Sequence, residues 1–115
     1  MLVGVVGAGG TGKSHLAQLL RAALNVGGGG GALAEVLSMD AYHLPQAVLD
    51  ATPWGPWRTL AAAKGLPETF DAAAFAADLA RVKAAAGEEV RLPIYDRRLH
   101  EPVAGRRRVA PGCRV

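Results

Sequence analysis

The chain has 115 residues, half of them hydrophobic and 20% charged, which admits one small domain around one core and excludes both a two-domain protein and a highly charged disordered segment. Aromatic residues make up only 5%, so the core must be built from Leu, Val and Ala with few large anchors. The net charge of +3 sits at one end: residues 91–115 hold seven Arg against Asp96 and Glu101, a balance of +5, whereas residues 1–90 hold six basic and eight acidic groups, a balance of −2.

Those arginines are not interleaved with stacking aromatics, so a nucleic-acid-binding surface is not expected. The single cysteine, Cys113, forms no internal disulfide, and no Cys/His cluster offers a zinc site, which fits a reducing cytoplasm. The start of the chain has no basic region, and its apolar run meets glycines within a few residues. It is too short for a signal peptide or a membrane span, and a soluble protein is expected.

In chain order, Leu2 to Val6 is a short apolar run ending in a glycine-rich loop, the pattern of a strand buried on both faces of a parallel sheet. Leu16, Leu19, Leu20, Ala23 and Leu24 then fall on one stripe of an amphipathic helix. Asn25 and the run Gly27 to Gly31 stop that helix, and Ala34 to Met39 reads as a second buried strand closed by Asp40.

The stretch from Tyr42 to Pro56 carries three prolines, with Trp54 and Trp57 at its far end, and predicts a loop with at most a turn of helix. Arg58 to Lys64 suits a short helix ended by Gly65. Thr69 or Asp71 can cap a longer helix with Phe75, Leu79, Val82 and Ala86 on one face and Gly87 as its stop. Val90, Leu92 and Ile94 alternate, but Pro93 removes a donor, so an extended edge or loop segment is expected there. Strand, helix, strand, helix is the α/β order, with no internal repeat and no domain boundary.

The octapeptide Gly7-Ala8-Gly9-Gly10-Thr11-Gly12-Lys13-Ser14 satisfies G-x-x-x-x-G-K-[ST] and lies between the predicted strand and helix. Glycines let the backbone curl with its N–H groups turned inward, and the loop feeds a helix N-terminus whose dipole favours the same anion. In such a loop Lys13 reaches the β- and γ-phosphates of ATP and the Ser14 hydroxyl ligates Mg²⁺.

A phosphate loop alone does not separate kinases from switches or motors. The acceptor side is carried by Leu37-Ser38-Met39-Asp40-Ala41-Tyr42-His43-Leu44, Leu66-Pro67-Glu68-Thr69-Phe70-Asp71 and Leu92-Pro93-Ile94-Tyr95-Asp96-Arg97. With the phosphate loop, these segments resemble the P-loop kinase family of uridine kinase, phosphoribulokinase and bacterial-type pantothenate kinase, in particular its bacterial nucleoside/nucleotide and fructose-transport kinase branch. The likeness spans nearly the whole chain.

The resemblance implies a P-loop three-layer α/β fold and transfer of the γ-phosphate of ATP, with Mg²⁺, to a hydroxyl of a sugar, nucleoside or pantothenate-like acceptor. Asp40 would take or orient the hydroxyl proton. Tyr42, His43, Tyr95, Asp96 and Arg97 would face the acceptor, Asp96 suiting hydroxyls and Arg97 an anion. His15 departs from the family's second hydroxyl at the end of the nucleotide-binding run and is expected on the exposed side of the helix.

The family's parallel sheet has strand order 2-3-1-4-5, and residues 1–115 are expected to be the N-terminal part of one such domain, ending before the third strand. That strand carries the acidic residue supporting Mg²⁺ and would sit between the two strands read here. The alternatives are a nucleotide-hydrolysing switch module and a non-catalytic nucleotide-binding remnant.

Overall fold

The computed structural model describes residues 1–27, 32–85 and 87–114. Three α-helices, α1 (Lys13–Asn25), α2 (Gln46–Ala51) and α3 (Ala72–Ala84), are followed by strands β1 (Val90–Asp96) and β2 (Glu101–Val109). Short 3₁₀ turns at Met39–Tyr42, Leu60–Ala63 and Pro67–Thr69 punctuate the stretch between α1 and α3.

α1 ends where Gly27 adopts a left-handed φ of 81°. The Asn25 side chain ties that end down: its Oδ1 accepts from Leu33 N (2.7 Å) and Ala34 N (3.0 Å), and its Nδ2 donates to Ala34 O (2.9 Å). The expected stop therefore holds at Asn25 and Gly27, while residues 28–31 of the expected linker lie outside the described residues. α3 starts at the expected cap, with Asp71 Oδ1 accepting from Ala74 N at 2.8 Å. It ends at Ala84, ahead of the expected stop at Gly87, and Ala86 also lies outside the described residues.

The described sheet is not the parallel one expected. β1 and β2 form a two-stranded antiparallel hairpin, and neither Leu2 to Val6 nor Ala34 to Met39 belongs to a ladder. Backbone ladders form only between strands about 4.8 Å apart. Neither segment has such a neighbour among the described residues. The expected helix at Arg58 to Lys64 is shortened to the 3₁₀ turn Leu60–Ala63, with Gly65 at φ 107° ending it.

Pro93 acts as expected of a residue without an N–H. Leu92 pairs with Arg107 and Ile94 with Val103, so Ala104, Gly105 and Arg106 bulge opposite Pro93. Gly105 takes a φ of 67° there.

The core gathers on the hairpin. Val90, Leu92 and Val109 are buried together, with Leu37, Val82, Ala85 and Cys113 packed against them. A second buried group, Leu49, Leu60 and Thr69, organises the turns between α2 and α3. Thr69 is wholly buried yet satisfied: its hydroxyl donates to Leu66 O at 2.7 Å and accepts from Gly65 N at 3.0 Å. α1 contributes no buried residue. It is held at its far end by Asn25 and by Arg21, whose guanidinium lies 3.3 Å from Glu35, a carboxylate also paired with Arg107 at 2.8 Å.

Candidate functional site

Residues 7–14 form a loop braced by its own side chains. Thr11 Oγ1 donates to Ala8 O at 2.8 Å, and Lys13 Nζ donates to the same carbonyl at 2.6 Å. Gly10 and Gly12 have φ of 74° and 83°, a region that L side chains avoid, and Gly12 is the residue from which α1 springs. A Cβ on Gly9, Gly10 or Gly12 would meet no atom within 4 Å, so the loop's glycine side is open.

The first turn of α1 has no side-chain cap and no acidic residue. The backbone N–H groups of Lys13, Ser14 and His15 are therefore left without the carboxylate or hydroxyl partner that usually satisfies a helix start. Ser14 and His15 are exposed, His15 as expected, and Lys13 is half-buried along the loop.

This arrangement fits a triphosphate: unpartnered amides, a positive helix end, an ammonium already resting on a carbonyl oxygen, and no side chain in the way. No group of three or more His, Cys, Asp or Glu side chains that could cage a metal exists among the described residues. A divalent ion here would depend on the Ser14 hydroxyl and on phosphate oxygens, the way Mg²⁺ is ordinarily held beside a nucleotide.

A second group of side chains converges where the Met39–Tyr42 turn meets the hairpin. Asp40 N donates to Ser38 Oγ at 3.3 Å, which fixes the turn. The Asp40 carboxylate is exposed and makes no hydrogen bond or ion pair among the described residues. Tyr42 is buried, its ring centroid 5.0 Å from that of Phe75, and its hydroxyl donates to Asp78 Oδ2 at 3.0 Å. Burial, and then the hydrogen bond to Asp78, push the Tyr42 phenol well above its ordinary range.

The His43 ring stacks on Phe70 at 4.0 Å and meets Tyr95 edge-on at 5.8 Å. Its Nδ1 lies 3.3 Å from Thr69 O, an acceptor only. Nδ1 is therefore the donor in that contact. Tyr42, His43, Pro93 and Gly105 line a recess of about 370 Å³ together with Arg81 and Arg91.

Asp96 and Arg97 lie at the hairpin tip. Asp96 Oδ1 accepts from Arg98 N (2.8 Å) and Leu99 N (3.2 Å), shaping the turn, and Arg97 is exposed. The structure thus brings His43 and Tyr95 together, with Asp96 and Arg97 further along the same hairpin, while Tyr42 turns to Phe75 and Asp78. No hydrogen bond or ion pair joins residues 7–14 to this cluster among the described residues.

The sequence reading missed Lys64, Gln46 and Phe70. Lys64 Nζ donates to Tyr95 Oη and to Gln46 Oε1, each at 3.2 Å. Phe70 lies within Leu66 to Asp71, and its stacking on His43 is set by the fold. Lys64 reads in sequence as the end of a short helix, and only the fold carries it across to β1.

An open glycine loop at a helix start is suited to holding a phosphate group. Comparison with known proteins finds two similar proteins whose names describe kinases. The chain is 32% identical over 106 residues to pantothenate kinase of Streptomyces avermitilis, a match covering 92% of this chain and 30% of that protein. It also resembles the crystal structure of a protein described as a fructose transport system kinase from Silicibacter sp. TM1040. That likeness has a TM-score of 0.75 and 40% identity, and covers 94% of this chain and 47% of the other. The chain spans less than half the length of either relative. No family model matches it. Among the described residues, no helix is long and apolar enough to cross a membrane.

Proposed function

We propose that the chain supplies the nucleotide grip and the acceptor-facing wall of an ATP-dependent kinase that phosphorylates a hydroxyl of a small molecule. The reading is carried by the loop at residues 7–14, which combines left-handed glycines with open space around them, an uncapped helix start and the Lys13 ammonium on the Ala8 carbonyl. The kinase names of both relatives support it.

Bound Mg²⁺ neutralises charge on the phosphates. The protein's own groups do the rest. Amides around Gly10 to Ser14 orient the β- and γ-phosphates, and Lys13 exchanges the Ala8 carbonyl for a phosphate oxygen. Ser14 offers its hydroxyl to the metal. Asp40, unpaired and exposed, orients the acceptor hydroxyl and receives its proton as the γ-phosphoryl group departs. Tyr42, His43, Tyr95, Asp96 and Arg97 form the wall against which the acceptor lies.

The test is ADP release measured with and without candidate acceptors, alongside calorimetric titration of ATP–Mg²⁺. ATP binding that is abolished by Lys13→Ala, with ADP release that requires the acceptor, is the expected result. Hydrolysis independent of any acceptor would mark a nucleotide switch instead, and binding without turnover a non-catalytic remnant.

A further inference from the structure

The turn that carries Asp40 is held weakly by its own bonds. Ala41 N donates to Ser38 O at 3.2 Å, His43 N to Asp40 O at 3.2 Å, and Asp40 N to Ser38 Oγ at 3.3 Å. All three exceed the ordinary N–H···O length of about 2.9–3.0 Å. A 3₁₀ turn has poorer bond geometry than an α-helix, so its shape depends on what it is fastened to.

The fastening is at Tyr42, the last residue of the turn. Its ring is buried and tilted against Phe75 on α3, and its carbonyl accepts from Asp71 N at 2.7 Å, at the start of that helix. The third tie is the phenol, which donates to Asp78 Oδ2 at 3.0 Å across 36 positions of sequence. Arg81 Nη1 donates to the other oxygen, Oδ1, at 2.6 Å, so both ends of the carboxylate are committed and its orientation is fixed. The Asp78 side chain is 16% exposed and that of Arg81 58%, which shields the phenol bond from water while the guanidinium compensates the charge. The upward shift of the Tyr42 phenol keeps it protonated, and hence a donor, at neutral pH.

Two positions back stands the Asp40 carboxylate, exposed and without a hydrogen bond or ion pair among the described residues to aim it. Its direction is set by the backbone of the turn alone, so whatever fixes the turn fixes the carboxylate. Displacing a reacting group by about 1 Å can cost on the order of 10² in rate.

We infer that Asp78 is a positioning residue: by gripping the Tyr42 phenol it holds the Met39–Tyr42 turn where Asp40 meets the acceptor hydroxyl. The catalytic consequence rests on the kinase reading, whereas the grip on the turn is a property of the folded chain and is measured without turnover.

The experiment uses Asp78→Ala, which removes the grip, Asp78→Asn, which keeps an oxygen to accept from the phenol, and Tyr42→Phe, which removes the donor and keeps the ring. Circular dichroism sets a temperature at which every variant is folded. Amide hydrogen exchange at Asp40, Ala41 and His43 should be about tenfold or more faster in Asp78→Ala and Tyr42→Phe than in the parent, a gain not shared by the hairpin stem, and close to the parent's in Asp78→Asn. In acceptor-dependent ADP release, Asp78→Ala should lower kcat about tenfold or more and leave the KM for ATP and for the acceptor within about twofold. In the Asp40→Asn background the same substitution should lower the residual turnover no further, because the two residues act through one carboxylate.

Parent-like exchange in the turn of Asp78→Ala, or a loosening shared equally by the stem, overturns the grip. A loss of kcat that is undiminished in the Asp40→Asn background, or a loss confined to KM, overturns the positioning role. ADP release independent of any acceptor would instead sink the kinase reading, and the exchange comparison still decides whether Asp78 holds the turn.

Discussion

At the scale of single residues, two side chains in neighbouring positions have opposite duties. Asp40 is unpaired and exposed, whereas Tyr42, two residues on, is buried and bonded to Asp78, which is itself held by Arg81 at 2.6 Å. Asp40→Asn should lower acceptor-dependent turnover by about 10²–10⁴-fold with little change in ATP affinity; near-normal turnover removes it from the mechanism. Tyr42→Phe should act on stability, costing about 1.5–3 kcal/mol, because it strips a donor from a carboxylate. The folded-state pKa of Tyr42 is raised above its unfolded value near 10. Its contribution is therefore fully present below about pH 10 and is lost as pH rises beyond it. Urea unfolding at pH 8 and pH 11 should show a steeper loss for the parent than for Tyr42→Phe.

At the scale of elements, the sequence was most legible where a local rule suffices. The Asp71 cap, the stop at Gly27 and the edge character imposed by Pro93 each depend on a residue and its immediate neighbours, and each is found where expected. The glycine loop was legible for the same reason, its motif and its backbone turning within eight positions. What escaped was anything fixed by partners distant in sequence. The apolar runs at Leu2 to Val6 and Ala34 to Met39 carry strand character, but a ladder needs a neighbour that periodicity does not supply. Lys64 meets Tyr95 only because the hairpin folds back across 31 positions. The β2 bulge was equally invisible, and it makes a clean prediction. A Cβ on Gly105 would touch nothing within 4 Å, yet its φ is 67°, so Gly105→Ala should cost about 1–2 kcal/mol from backbone conformation alone. Gly105→Asn should recover part of that loss, and chemical denaturation of both variants checks the difference.

At the scale of the whole molecule, apolar surface is unevenly covered. The leucine stripe of α1 is exposed, Leu19 at 55%, and Val6 is exposed at 93%. The radius of gyration is 16.0 Å, against about 13 Å for a typical domain of this length. Contiguous apolar surface of this kind favours association. The isolated chain should self-associate in sedimentation experiments, and the pair Leu19→Lys and Leu24→Lys should reduce that association without lowering the unfolding midpoint; a collapsed midpoint would mean that the stripe is packed.

The hairpin shows how the molecule keeps its two tasks apart. The interruption at Pro93 divides it into a rooted stem, Val90 to Leu92 against Arg107 to Val109, and a distal arm that carries Tyr95, Asp96 and Arg97. The stem is buried in the core, whereas the arm is half-buried and tied down mainly through Tyr95, so its other positions can be re-lettered with little penalty to folding. If the arm faces the acceptor as proposed, acceptor preference is free to drift while the scaffold stays put, and a library confined to residues 94–103 that spares Tyr95 should change it without loss of folding.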